Sequence, residues 1–130
     1  MIIDTSAVLS ILLAEPDAKI YADAIAAAKH RVMAAPTYLE LCMVFCGRRN
    51  DESLEMVEQF VQKAAISIRP FGPEAAAVAA QAFLSFGKGR GNRAQLNFGD
   101  CMSYAMSKTE AMPLLFKGED FGRTDVERVV

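Results

Sequence analysis

The sequence predicts an α/β fold, a parallel β-sheet sandwiched by α-helices, in one domain spanning residues 1–130. Three observations carry this. Short apolar runs alternate with longer helix-forming segments along the whole chain, the pattern of a parallel sheet with helices on both faces. A length of 130 residues suits one domain, and such a domain buries roughly two thirds of its unfolded surface. Apolar residues make up 52% and charged residues 23%, which excludes intrinsic disorder.

The elements follow in order. Met1–Ile3 is an apolar run ending at Asp4 and reads as the first strand. Ala7–Leu13 is helical. Pro16 sits where a first helical turn tolerates proline, and Asp17–Lys29 is rich in alanine. Arg31–Ala35 reads as the second strand. Pro36-Thr37 opens a long apolar helix to about Arg49, which Asn50-Asp51 breaks. Glu52–Ala64 carries Leu54, Val57, Phe60 and Val61 at helical spacing. Ala65–Pro70 alternates like a third strand. Gly72-Pro73 starts a helix to about Phe86. Gly87–Phe98 has no clear period and reads as a loop long enough to be functional. Gly99-Asp100 opens a helix to about Lys108, Pro113–Phe116 is the fourth strand, and the tail from Lys117 is polar.

No apolar run approaches the roughly 18 residues of a membrane-spanning helix. Met1 leads straight into Ile2-Ile3-Asp4 without a basic or long apolar leader, so a cytoplasmic location is expected. Cys42 and Cys46 stand one helical turn apart, and the total of three is odd, so buried structural thiols are expected rather than disulfides. The single histidine, His30, lies far from any cysteine in sequence, which argues against zinc.

Ligands of such folds bind at the carboxyl ends of the strands. Asp4 ends the first strand. Glu40 stands in the helix after the second, Asp100 opens the helix before the fourth, and Glu119, Asp120 and Asp125 follow the fourth. Each has an ordinary alternative. Asp4 and Asp100 read as helix N-caps, and Thr37-x-x-Glu40 is a capping-box pattern. Yet Glu40 is the only charge between Pro36 and Cys46, and a carboxylate on such an apolar segment is costly unless paired or metal-bound. Acids gathered at one sheet edge repel one another, and a hard divalent cation with oxygen ligands relieves that.

Four motifs together resemble the PIN-domain ribonucleases, and most closely the VapC toxins of bacterial toxin–antitoxin pairs. They are Met-Ile-Ile-Asp4-Thr5-Ser6-Ala7, Tyr38-Leu39-Glu40, Leu96-Asn97-Phe98-Gly99-Asp100-Cys101 and Leu114-Leu115-Phe116-Lys117-Gly118-Glu119-Asp120-Phe121. The likeness covers essentially the whole chain. It implies a PIN fold with an acidic pocket for Mg²⁺ or Mn²⁺, and carries Asp4, Glu40 and Asp100 onto the metal-site acids. Gly118 stands where many members have the fourth acid or amide. Asp120 is then the first choice and Asp125 the alternative. Thr5 and Ser6 match hydroxyls that support the first aspartate. The likeness also implies a homodimer and a groove for a VapB-like antitoxin's C-terminal segment, whose arginine would reach the acids.

The expected chemistry is hydrolysis of RNA phosphodiesters by water. Asp4 and Asp100 hold one or two Mg²⁺, and Glu40 and Asp120 hold waters or orient the nucleophile. Residues 75–99 contain no acid, while Lys88, Arg90 and Arg93 cluster in the glycine-rich loop and suit RNA phosphates. A solvated loop is the plainer alternative. Met43, Leu12 and Leu13 read as core or as partner surface, core being favoured for each. Other classes fit less well. An aspartyl phosphatase wants Asp-x-Asp, where this chain has Asp4-Thr5-Ser6. A receiver module wants an aspartate ending the third strand, and Ile66–Pro70 lacks one. A PIN domain that binds RNA without cutting it is opposed by the full acid set. The net charge of −2 sums an acidic strand edge and a basic loop, so the total says little about partners.

Overall fold

A computed structural model describes residues 1–48, 53–91 and 93–130. The sheet is wholly parallel. Its strands are β1 (Ile2–Ile3), β2 (Val32–Ala34), β3 (Ser67–Arg69) and β4 (Leu114–Leu115), in the order β3-β2-β1-β4. Ile2 registers with Val32 on one side and Leu114 on the other. The three strands β2, β1 and β4 are buried and apolar on both faces, as parallel strands under helices must be.

Helices α1 (Thr5–Leu12), α2 (Ala18–Ala27), α3 (Ala35–Arg48), α4 (Ser53–Lys63), α5 (Pro73–Phe86) and α6 (Phe98–Thr109) supply those covers. The pleat sorts the side chains. Ile2, Val32, Ala34 and Leu114 face the layer containing Ala82, Cys101, Ala105 and Met106 of α5 and α6. Ile3, Met33 and Leu115 face the layer containing Val8, Ile25, Leu41, Phe45 and Val57 of α1–α4. Full burial of each Val, Leu, Ile, Phe or Met among them stabilises the fold by roughly 1.5–3 kcal/mol.

Most expected elements form, with boundaries moved by one to three residues. Helix α1 begins at Thr5 because Asp4 caps it, its carboxylate accepting from the Ser6 N–H. Helix α6 begins at Phe98, so Asn97 is its N-cap and Asp100 is not. Helix α3 begins at Ala35, which puts Thr37 and Glu40 inside it; no Thr37 capping box forms. The expected break at Asn50-Asp51 and the start of α4 at Glu52 lie outside the described residues.

The Gly87–Phe98 segment is more ordered than its composition suggests. The Leu96 N–H donates to the Phe86 carbonyl and the Lys88 N–H to the Leu96 carbonyl, both at 2.9 Å, so the loop is pinned at its base. Ala94 and Leu96 are fully buried beneath it. After β4, a single 3₁₀ turn (Phe121–Arg123) follows Gly118, whose φ of +105° is a conformation that favours glycine. The C-terminal tail returns along β4 through Leu114 N–H to Glu127 and Val129 N–H to Leu114. Among the described residues, no helix is long and apolar enough to cross a membrane. Cys42 and Cys101 are buried and Cys46 is half-buried, all three as free thiols. Met43 departs from the core reading, being 67% exposed, while Leu12 and Leu13 are half-buried.

Candidate acidic active site

Asp4 leaves the carboxyl end of the central strand, its N–H donating to the Leu115 carbonyl at 2.9 Å. It is a buried charge, 4% exposed, and must be satisfied. Its Oδ2 accepts from the Ser6 N–H at 2.9 Å and the Ser6 hydroxyl at 2.6 Å, and its Oδ1 accepts from the Ser103 hydroxyl at 2.6 Å. The Lys117 N–H in turn donates to Ser6 Oγ at 3.0 Å, tying the chain after β4 to the same carboxylate.

Glu40 reaches the site from the second turn of α3. Its Oε2 accepts from the Thr5 hydroxyl at 2.6 Å. The two expected supporters of Asp4 therefore divide: Ser6 holds Asp4, and Thr5 holds Glu40. On its other side the carboxylate lies against Gly99, where an added Cβ would come within 2.2 Å of Oε1. Glycine is needed there for close approach. Burial raises the Glu40 carboxyl above its ordinary range; Thr5 opposes that rise and Asp4 adds to it.

Asp100 sits three residues into α6, in a reciprocal cap. Its N–H donates to Asn97 Oδ1 at 2.9 Å, and its own Oδ2 accepts from the Asn97 N–H at 2.8 Å. Even so, its carboxyl is pushed up to about 7. Burial is the largest cause, and repulsion from Asp4, Asp120 and Glu40 adds to it, against the Asn97 hydrogen bond. Asp120 is exposed, just before the 3₁₀ turn, with no capping hydrogen bond of its own.

Four segments distant in sequence thus bring Asp4, Glu40, Asp100 and Asp120 within electrostatic reach of one another. Asp125 is not among them. It accepts from Tyr104 Oη at 2.7 Å and pairs with Lys108 Nζ at 2.8 Å, on the last turns of α6, away from the end that carries Asp100. Lys108 first, then Tyr104, hold its carboxyl below the ordinary range. It is a paired surface acid and not the fourth member. The nearest lysine to the cluster in sequence, Lys117, is drawn off to Glu15 and Asp17 at 2.5 and 2.7 Å. His30 is exposed at the entry to β2, the opposite end of the strands.

Among the described residues, no three His, Cys, Asp or Glu side chains converge tightly enough to enclose a metal. Mg²⁺ keeps most of its waters and takes only one or two carboxylates. The donors are hard oxygens, and the repulsion on Asp100 is what a divalent cation would relieve. Asp4 and Asp100 carry oxygen donors of the type such an ion takes.

Lys88, Arg90 and Arg93 are exposed on the loop that leads into Asn97 and Asp100. Gly89 and Gly91 turn it at φ of +79° and +77°. Beside the acids lies a mostly apolar hollow with Pro36, Leu39, Met43, Phe98 and Met102, continued past Phe98 by a groove of about 640 Å³ between α5 and α6. Phe98 is 81% exposed between them. Sequence reasoning missed Ser103, Thr37 and Gly99 as parts of the site. Only Gly99 carried a signal, as a glycine beside Asp100.

A four-stranded parallel sheet under helices, with acids at the carboxyl ends of its strands, defines the class, and the family model described as "PIN domain" matches residues 1–127. Ribonuclease VapC28 of Mycobacterium tuberculosis is 42% identical over 130 residues, covering 100% of this chain and 98% of that protein. The chain belongs to the PIN-domain family, among the VapC ribonucleases. The crystal structure of VapC20 from M. tuberculosis, titled a sarcin-ricin loop cleaving toxin, aligns with a TM-score of 0.77 at 11% identity, over 96% of this chain and 95% of that one. A toxin–antitoxin complex from Klebsiella pneumoniae aligns with a TM-score of 0.70 at 14% identity, over 95% of this chain and 92% of that one.

Proposed function

We propose that this protein is a Mg²⁺-dependent endoribonuclease, the toxin of a VapBC-type pair, acting in the cytoplasm. The observation that carries the reading is the Asp4, Glu40, Asp100 and Asp120 cluster, with burial and its acidic neighbours pushing Asp100 up to about 7. The similarity to named VapC ribonucleases over the full chain supports the same reading. Asp4 and Asp100 would hold Mg²⁺, with Mn²⁺ as a substitute. When bound, the ion supplies an activated water and neutralises charge at the phosphodiester. Glu40, fixed by Thr5, would orient that water by hydrogen bonding. Asp120, exposed at the rim, would accept a proton or a water at the open side. Lys88, Arg90 and Arg93 would hold the RNA backbone as it enters. Water is the nucleophile, so the 2′-hydroxyl is not consumed, and the products would be a 5′-phosphate and a 3′-hydroxyl.

The apolar face around Leu39, Met43 and Phe98 supports a homodimer and an antitoxin contact beside the acids. The deciding assay is cleavage of total RNA with Mg²⁺ and with EDTA. Asp4→Asn and Asp100→Asn should each lower metal-dependent cleavage by at least about 100-fold. Full activity in either variant would remove the assignment.

A further inference from the structure

Ser103 is a fully buried hydroxyl on α6, among Cys101, Tyr104, Ala105 and Met106 of the same helix. Alanine would fill that space without a polar atom to satisfy. Its single proton goes to Asp4 Oδ1 at 2.6 Å. That leaves the Thr37 hydroxyl, 3.4 Å away and 1% exposed, as the donor to Ser103. On the other side of Asp4 the Lys117 N–H donates to Ser6 Oγ, and Ser6 donates to Oδ2. Every hydroxyl in the line points its proton toward the same carboxylate. Chains polarised in one direction strengthen one another in a buried setting.

Ser103 also lies one turn after Asp100 on α6, on the same side of the helix. It therefore links the orientation of the first acid to the helix that carries the third. Rotation of the Asp4 carboxylate would break the bond to Ser103 or to Ser6.

We propose that Ser103, backed by Thr37, is a positioning residue that holds the Asp4 carboxylate in the single orientation needed to share a divalent cation with Asp100. Its geometry stands on the hydrogen bonds alone; its consequence for metal rests on the nuclease reading.

The test uses the full chain and Mn²⁺ alone as the probe. Ser103→Ala should weaken Mn²⁺ binding, followed by electron paramagnetic resonance, by about 10-fold, the usual effect of losing an outer partner of a ligand. The Mg²⁺ concentration that half-saturates RNA cleavage should rise by the same factor, with most of the rate returning at high Mg²⁺. Ser103→Thr, which keeps the hydroxyl, should restore binding, and Thr37→Val should shift it in the same direction by less. In metal-free protein, the Asp4 carboxyl-carbon resonance should broaden or divide in Ser103→Ala as the group samples further rotamers. A folded Ser103→Ala protein with unchanged Mn²⁺ affinity and an unchanged Asp4 resonance would overturn the proposal. Wild-type protein that binds no Mn²⁺ would overturn the nuclease reading instead, and the carboxyl resonance would still decide whether Ser103 holds Asp4.

Discussion

At the scale of single residues, the site is a set of charges that cannot satisfy one another. Asp100 holds its proton up to about pH 7 because burial and three acidic neighbours oppose ionisation. A carboxyl raised in the folded state stabilises the fold below its ordinary range, and that contribution is lost as pH climbs from about 4 to about 7. Metal-free protein should therefore lose stability across that window, and carboxyl-carbon NMR should place Asp100 near the top of it. Mg²⁺ favours the charged form, so adding it should move the titration downward. An Asp100 midpoint near 4 without metal would contradict the crowding described here. Gly99 gives a second test. A Cβ there would meet Glu40 Oε1 at 2.2 Å, so the carboxylate that Thr5 holds would have to shift. Gly99→Ala should lower stability by about 1–3 kcal/mol in thermal denaturation and reduce cleavage further than that loss explains.

At the scale of elements, helix ends do the positioning. Asp4 caps α1, and Asn97 with Asp100 forms the reciprocal cap of α6. Asn97→Ala should cost about 1 kcal/mol of stability. It should also weaken cleavage, because the Asp100 N–H loses its side-chain acceptor and only the Asn97 backbone N–H is left to aim the carboxylate. Unaltered activity at reduced stability would show that the cap serves only the helix. These ends were partly legible. Asp4 after an apolar run pointed to the strand tip and the N-cap at once, and both hold. The cap of α6 was misplaced by three residues, because Asn97 and Asp100 are both good capping types and local sequence does not rank them. The Thr37-x-x-Glu40 pattern failed for another reason. Tertiary contacts start α3 two residues before Thr37, so Thr37 faces Ser103 and Glu40 faces Thr5.

At the scale of the whole molecule, charge is segregated. The acids collect where the strands end, and Lys88, Arg90 and Arg93 are exposed on the loop that leads into Asn97 and Asp100. Neutralising those three together should weaken RNA binding and reduce the slope of log affinity against log salt by about 2 for single-stranded RNA. A slope equal to that of wild type would remove the loop from the binding surface. The net charge of −2 conceals this division, since a sum carries no position.

The sequence by itself determined the layered α/β fold, because the period of its apolar residues reports which faces are buried. It also determined which segments would carry acids to the strand ends, since topology follows from the order of strands and helices. Only the tertiary structure decided how those acids are held. Thr5 turned to Glu40 and not to Asp4, Asp125 went to Lys108 and Tyr104, and Ser103 became the partner of an aspartate 99 residues away. Hydrogen bonds of this kind depend on distances of a few tenths of an ångström between segments remote in sequence, and no local pattern encodes them.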